Sequence, residues 1–256
     1  MAGNCAQPGA TVTARVLALL AAFDSMHRRM RLSELARRAG IPVGTAHRLV
    51  GELEAWGALE RLPCGRYVIG RRLWDVGLLA PVQVGLGEVA SPFVHDLYAS
   101  TGATVHLAVR DGISVLCVAR LAGHASVPVI SRSGTRLPIH ATSLGKVLLA
   151  HAPETVQAAA LSRLHRVTPR TIVHAGLLRE QLHRARRDGY ATAPEEMGLG
   201  GCGVAVPIFR NDEVVAAVGL VVAAADGDGK HLLPALRVTA QGISRTLDAN
   251  DGATWV

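Results

Sequence analysis

The chain has 256 residues, 49% of them hydrophobic and 18% charged, with a formal net charge of +7 at pH 7. That balance supplies a core and excludes wholesale disorder. The longest apolar run, Val214 to Ala225, has twelve residues where a membrane span needs about 20, so no transmembrane helix and no membrane partner are expected.

The charge is unevenly spread. Residues 1–75 hold 11 Arg against 6 acids, whereas residues 76–256 hold 16 Lys and Arg against 14 acids. A small basic module joined to a near-neutral larger one is the layout of a nucleic-acid reader attached to something else. Cys5, Cys64, Cys117 and Cys202 show no C-x-x-C spacing and read as free thiols of a cytoplasmic protein. Val16 to Phe23 has about the size of an export-signal core, but it runs into Asp24 and an Arg-rich stretch and reads as a buried helix face.

Thr13 to Asp24 is apolar on nearly all sides, which predicts a helix buried among others. The next helix opens at Leu32-Ser33, with Ser33 as its N-cap and Glu34 in the first turn. Leu35, Ala36 and Ala39 form its inward face and Gly40 ends it. Pro42 then starts a third helix running to about Trp56, with Ala46, Leu49, Val50 and Leu53 at i, i+3, i+4, i+7. Joined by the tight Gly-Ile-Pro turn, these two form a helix-turn-helix. With the apolar stripe inward, Gly44, His47, Arg48 and Gly51 point outward and Thr45 lies on the flank. Small residues there allow close approach to a major groove, Arg48 can fork onto guanine, and Thr45 and His47 can reach phosphates or base edges. Ser33 and Val43, at the openings of the two helices, complete the expected contact set.

After Trp56-Gly57 the period becomes two. Ala58 to Leu62, a turn at Pro63-Cys64-Gly65, and Arg66 to Ile69 predict a hairpin, the wing of a winged helix, whose Arg61 and Arg66 meet the sugar-phosphate backbone.

A boundary is expected within Gly70 to Pro92. Beyond it, Ala103 to Val109 and Ile113 to Ala119 read as a hairpin around Asp111-Gly112. Ser126 to Ser131 adds a short strand. Val204 to Phe209 and Val214 to Val222 flank the polar turn Arg210 to Glu213. Helical stretches lie at Val84 to Ser100, Ser143 to Ala150, Glu154 to Leu164, Leu177 to Asp188 and Leu232 to Asp248. With no βαβ rhythm, the class is α+β with a mainly antiparallel sheet. Thr142 or Ser143 caps the helix that begins there. Its free N–H groups, flanked by His140, form an anion site or, equally, an ordinary satisfied cap. Lys146, one turn in, reads as structural.

The eleven histidines include no H-x3-H pair. His106 and Cys117 can approach across their hairpin, but two ligands do not close a site, so neither a metal nor any other cofactor is expected. Adjacent Glu195 and Glu196 diverge, and there is no G-x-S-x-G, Walker loop or dinucleotide fingerprint, so an enzyme is not expected.

The stretch LSELARRAGIPVGTAHRLVGELEAWGALERLPCGRYVIGRRLWDVG resembles the winged helix of IclR-type bacterial transcription regulators. RLPIHATSLGKVLLA and GYATAPEE…GVAVPIFRNDEVVAAVGL are similar to the two signature segments of that family's effector-binding domain. The resemblance runs from about Thr11 to Asp248. It implies a winged helix-turn-helix domain over 1–70, a linker helix region over 71–90, and a GAF-like effector-binding domain over 91–250. It also implies homodimers or dimers of dimers, whose symmetry demands a pseudo-palindromic double-stranded operator; repression is expected more than activation.

Carried across by position, the resemblance places Val129, Leu137, Ser143 and Leu144 on one side of an effector pocket and Ala193, Gly203, Gly219 and Val221 on the other. Members that bind small oxo-acids place an acid, a cysteine and serines at the last four positions, and this chain has none. Cys202 is offset by one, which in a strand points it to the opposite face. Such a pocket leaves the desolvation of a small polar acid uncompensated. The expected effector is therefore larger, flatter and more apolar, an apolar or aromatic acid with a carboxylate at the Ser143 helix start; a collapsed, ligand-free pocket is the other outcome. The competing reading overall is a ligand-sensing or protein-interaction module that does not act through DNA.

Overall fold

The computed structural model describes residues 11–24, 26–79, 82–122 and 131–249. The chain divides into two compact units between Ala80 and Pro81.

In the first unit, α1 (Val12–Ala21), α2 (Leu32–Ala39) and α3 (Val43–Trp56) precede a hairpin of β1 (Leu59–Arg61) and β2 (Tyr67–Ile69), and α4 (Arg71–Leu78) follows. The helices close on Leu19, Met30, Leu35, Ala36, Ala46, Leu49, Val50 and Leu53, with Leu59 and Tyr67 of the hairpin sealing the same core. α2 and α3 end alike. Gly40 sits at φ 67°, its N–H donates to the Arg37 carbonyl, and the Ile41 N–H reaches back to Ala36 at 3.0 Å. Gly57 at φ 84° and the Ala58 N–H, 2.8 Å from the Leu53 carbonyl, repeat the motif. Both turns need the left-handed conformation that glycine adopts without strain.

Two expectations change here. Ser33 is not the N-cap of α2. The cap position falls at Arg31, which offers no capping side chain, because Met30 and Tyr67 exchange both backbone hydrogen bonds (3.1 and 2.7 Å) and hold the chain extended up to that point. Ser33 is then an exposed residue of the first turn. α1 is not buried all round either. Only Leu19 is fully enclosed, while Val12 and Leu17 are more than half exposed, since α2 and α3 cover one side of it.

In the second unit a six-stranded antiparallel sheet has the order β5-β4-β3-β8-β7-β6. Its strands are β3 (Thr104–Asp111), β4 (Ser114–Leu121), β5 (Arg136–Pro138), β6 (Ala191–Pro194), β7 (Gly201–Arg210) and β8 (Glu213–Ala223). The helices are α5 (Glu88–Thr101), α6 (Ser143–Ala150), α7 (Glu154–Leu161), α8 (Ala175–Asp188) and α9 (Leu233–Ala249). A π-helical turn over Val82–Gly87 leads into α5, where a regular helix from Val84 is expected. The strands reach closer to both tight turns than the sequence suggests. Asp111 already pairs with Ser114, and Asn211 and Asp212, at φ 49° and 62°, make the two-residue hairpin turn whose twist matches the strands. The strand expected at Ser126 to Ser131 falls outside the described residues except for Ser131, which is not in a strand.

Strand alternation gives the sheet two different faces. One carries Val105, Leu107, Val204, Val206, Ile208, Val218 and Leu220 and packs against α5 and α9 through Val94, Leu97, Leu236 and Ile243. The other carries Ala108, Ala205 and Ala217 and lies under α6 through Leu144, Val147 and Leu148, with Leu178 and Leu182 of α8 completing that core. Small residues let α6 sit close to the sheet. Gly145 packs instead against the turn before the helix, where a Cβ would lie 2.1 Å from the Ile139 carbonyl oxygen.

Candidate functional site

The first unit presents one face of α3 bare. Ala46, Leu49, Val50 and Leu53 are buried, while Val43, Gly44, His47, Arg48 and Gly51 are exposed and Thr45 is half-buried on the flank. Nothing lies within 4 Å of where a Cβ would stand on Gly44 or Gly51, so the face is smooth as well as open. The Arg48 guanidinium donates to Glu52 at 2.6 Å. Both partners are exposed, and such pairs contribute about 0–1 kcal/mol, so a stronger acceptor displaces Glu52 readily. On the wing, Arg61 and Arg66 are exposed, and the Arg61 guanidinium lies 5.9 Å from the centre of the Tyr67 ring. The tip is held by Leu62 N–H donating to the Arg66 carbonyl at 2.8 Å. A protruding helix with small outward residues and one forked cation, backed by a basic hairpin, matches the width of a major groove and the phosphates beside it.

The second unit encloses a cavity of about 100 Å³ between the start of α6 and the alanine-glycine face of the sheet. Of the residues expected there, Leu137, Ser143, Leu144, Ala193, Gly203 and Val221 come together in its wall. They meet because β6, β7 and β8 stand in register, Ala193 opposite Gly203 and Gly203 opposite Val221. Gly203 leaves room for Ser143, since a Cβ there would come 2.7 Å from Ser143 Oγ in its present rotamer. Gly219 lies deeper, beneath Ala205 and Leu144, and is not part of the wall. Val129 lies outside the described residues. Thr142, not Ser143, caps α6, its Oγ1 accepting from the Gly145 N–H at 3.0 Å. His140 turns away from the helix start. Its Nε2 is 2.8 Å from the His165 carbonyl, the two rings meet edge to face, and burial lowers its pKa, so it offers the cavity no positive charge.

Cys202 faces the opposite, hydrophobic side of the sheet, as strand alternation requires. His106 and Cys117 do not approach as opposed residues. The hairpin turns at Gly112-Ile113, one residue later than expected, which sets Cys117 opposite Ala108, and the bulge between Leu107 and Ala108 sets Arg120 opposite His106. Lys146 and Glu196 form a buried ion pair. Lys146 also donates to the Thr192 carbonyl at 3.3 Å, and the Ile172 N–H is 3.4 Å from Glu196. Burial lowers the lysine pKa and the glutamate opposes it, so the pair ties α6 to the turn after β6, whose Met197 and Gly198 also line the cavity.

The residue that sequence reasoning missed is His106. It lines the cavity, is 2% exposed, and holds Ser131 Oγ at 2.6 Å through Nε2. Burial, assisted by the nearby Arg120 cation, lowers its pKa to about 4, so the ring is neutral at pH 7. Among the described residues no three His, Cys, Asp or Glu side chains are placed to hold a metal ion, and no helix is long and apolar enough to cross a membrane.

Comparison with known proteins places these features in one family. The description "Bacterial transcriptional regulator IclR C-terminal" matches residues 80–245 and "IclR helix-turn-helix domain" matches residues 12–63. The HTH-type transcriptional regulator XynR of Escherichia coli is 30% identical over 210 residues, covering 80% of this chain and 83% of XynR. The HTH-type transcriptional repressor AllR of Klebsiella pneumoniae is 30% identical over 254 residues, covering 94% and 92%. Among solved structures, an IclR homolog from Microbacterium hydrocarbonoxydans, complexed with 4-hydroxybenzoate, superposes with a TM-score of 0.89 at 35% identity, covering 93% of this chain and 100% of that one. With a winged helix in its first unit and an effector-type cavity in its second, this chain belongs to the IclR family of DNA-binding bacterial transcription regulators.

Proposed function

We propose that this regulator is a cytoplasmic repressor, without catalysis of its own, that binds a pseudo-palindromic operator as a homodimer or dimer of dimers and responds to a single-ring apolar or aromatic acid. Residues 1–70 read the DNA, 91–250 sense the acid, and 71–90 link them. Val43, Gly44, Thr45, His47 and Arg48 enter the major groove, while Ser33, Arg61 and Arg66 hold phosphates. The observation that carries this reading is the bare face of α3, open along its whole outward side while the opposite stripe is sealed in the core.

Self-association is supported by uncovered apolar surface in the reading unit. Trp74, Val76, Leu78 and Leu79 at and just beyond α4 are 59%, 52%, 38% and 75% exposed, and Leu17 of α1 adds to them. Apolar surface of that extent marks an interaction site in a monomer-sized unit. The effector class is supported by the cavity's size and lining. Its roughly 100 Å³ compares with about 150 Å³ for an apolar cavity that takes benzene, which is the scale of a single ring. Leu137, Leu144, Val221 and Met197 surround that space, and the start of α6 directs its dipole at a carboxylate. The related protein solved with 4-hydroxybenzoate supports the same class. Selection of bound duplexes from random DNA, repeated with a panel of aromatic acids, tests the proposal. A two-fold-symmetric site whose retention falls when an acid is added is expected; enrichment of no sequence overturns it.

A further inference from the structure

We propose that His106, positioned by Ser131, is the polar reader of the effector, pairing its Nδ1 with a hydroxyl carried on the ring of the bound acid. The inference rests on the effector class given above and sharpens it from an aromatic acid to a hydroxylated one.

The imidazole occupies a place that the sheet makes for it. β3 turns His106 toward the α6 side, and its cross-strand neighbour on β8 is Gly219, so no side chain crowds the ring from that strand. Nε2 is committed to Ser131. Nδ1 is buried and has no hydrogen-bond partner among the described residues. An orphan of this kind is costly and rare in folded proteins. The Ser131 bond accounts for Nε2 and leaves Nδ1 without a structural role. The ring borders the cavity while Nδ1 itself is covered, so a group carried by the occupant completes it once the imidazole shifts toward the cavity.

The chemistry of the missing partner follows from the ring's state. A neutral imidazole has one donor nitrogen and one acceptor. The Ser131 hydroxyl can either donate to Nε2 or accept from it, so both tautomers are open and Nδ1 can take either role. A ligand hydroxyl, which donates and accepts, satisfies both. A carboxylate only accepts, and a neutral ring gives it no countercharge for its desolvation. The carboxylate therefore belongs at the α6 start and the hydroxyl at His106. The remaining wall is apolar, so this one contact separates a hydroxylated ring from its methyl isostere.

Calorimetric titration of the full-length protein with matched acids tests this: 4-hydroxybenzoate against 4-methylbenzoate, and 3-hydroxybenzoate against 3-methylbenzoate. The wild type is expected to prefer the hydroxylated member of at least one pair by about tenfold or more, the scale of one buried hydrogen bond. His106→Phe should bring that ratio to about one without weakening the methyl acid, and Ser131→Ala should lower it part of the way. Should His106→Phe fail to fold, the ring nitrogens of the wild type give the same answer by ¹⁵N NMR, the His106 Nδ1 resonance moving with the hydroxylated acid and not with its isostere. Binding of both members with equal affinity, or a hydroxyl preference that survives in His106→Phe, overturns the role of His106 while leaving the effector class intact. Binding of none of the four acids overturns the effector class and this inference together.

Discussion

Arg48 and Arg66 are both exposed cations of the reading unit, yet their positions assign them different work. Arg48 stands on the outward face of α3, where a planar fork can grip a guanine edge, and Arg66 borders the wing turn, where the proposed reading gives it phosphate alone. Arg48→Ala is expected to cost about 1–3 kcal/mol on the selected operator and to relax preference at one base step. Arg66→Ala is expected to weaken all sequences alike and to lower the salt slope by about one unit. Competition gel shifts over a salt series separate the two, and equal losses on cognate and random DNA for Arg48→Ala contradict its role. His106 gives a second prediction at this scale. Its native pKa of about 4 lies below the value of about 6.5 for an unfolded histidine. Between these values the unfolded chain takes up a proton that the native ring refuses, so stability is full above pH 6.5 and is lost as pH falls toward 4. His106→Gln should narrow the loss between pH 7 and pH 5 by about 2 kcal/mol, read as the difference between wild-type and variant urea midpoints; parallel pH profiles would show that the ring titrates normally.

Two glycines in helices show how an element's surroundings decide what a methyl group does. Gly44 on α3 has open space where its Cβ would be, whereas a Cβ on Gly145 in α6 would meet backbone oxygen. Gly44→Ala is expected to hold or raise stability by up to about 1 kcal/mol and still weaken operator binding, since the methyl stands where the helix must seat. Gly145→Ala is expected to destabilise the second unit by about 1–3 kcal/mol, with operator binding by folded protein unchanged. Circular dichroism melts and gel shifts on the same preparations check both. The contrast between these helices also marks how far the sequence could be read. α3 was legible because everything that makes it is local, with a glycine stop before it, an apolar stripe at helical spacing within it and a period change after it. The cap of α2 was not, because a bridge from Met30 to Tyr67, distant in sequence, decides where that helix starts. The cavity was half legible. Its wall from Ser143 to Leu144 and the glycine at 203 lie within recognisable segments, but His106 enters only through strand register, which sets it beside Gly219 and under α6. The one trace it leaves in the sequence is a histidine on the same side of its strand as Thr104 and Ala108. The turn at Gly112-Ile113, which moves Cys117 out of line with it, and the bulge after Leu107 leave none.

For the whole molecule, the proposal requires that a small acid in one unit change what the other unit does to DNA, and the free energy for that can come only from a difference in affinity between two arrangements of the assembly. If the acid acts on the spacing of two readers, it has nothing to act on when only one is engaged. Operator DNA with both half-sites should therefore lose affinity when the acid is added, by a factor of about 5–150, while a duplex carrying a single half-site keeps its affinity at the same acid concentration. Linkage fixes the converse. Multiplied over the acid sites of one assembly, the weakening of acid binding by saturating two-half-site DNA must equal that factor, so each of the two sites of a dimer loses its square root, and single-half-site DNA must leave both unchanged. Fluorescence anisotropy on the two duplexes, paired with calorimetry of the acid in the presence of each, measures all four affinities. Equal loss on both duplexes would mean that the acid alters the winged helix itself rather than the distance between two copies. A product of the per-site acid factors that differs from the DNA factor would mean that a third state, such as a change from tetramer to dimer, takes part in the cycle.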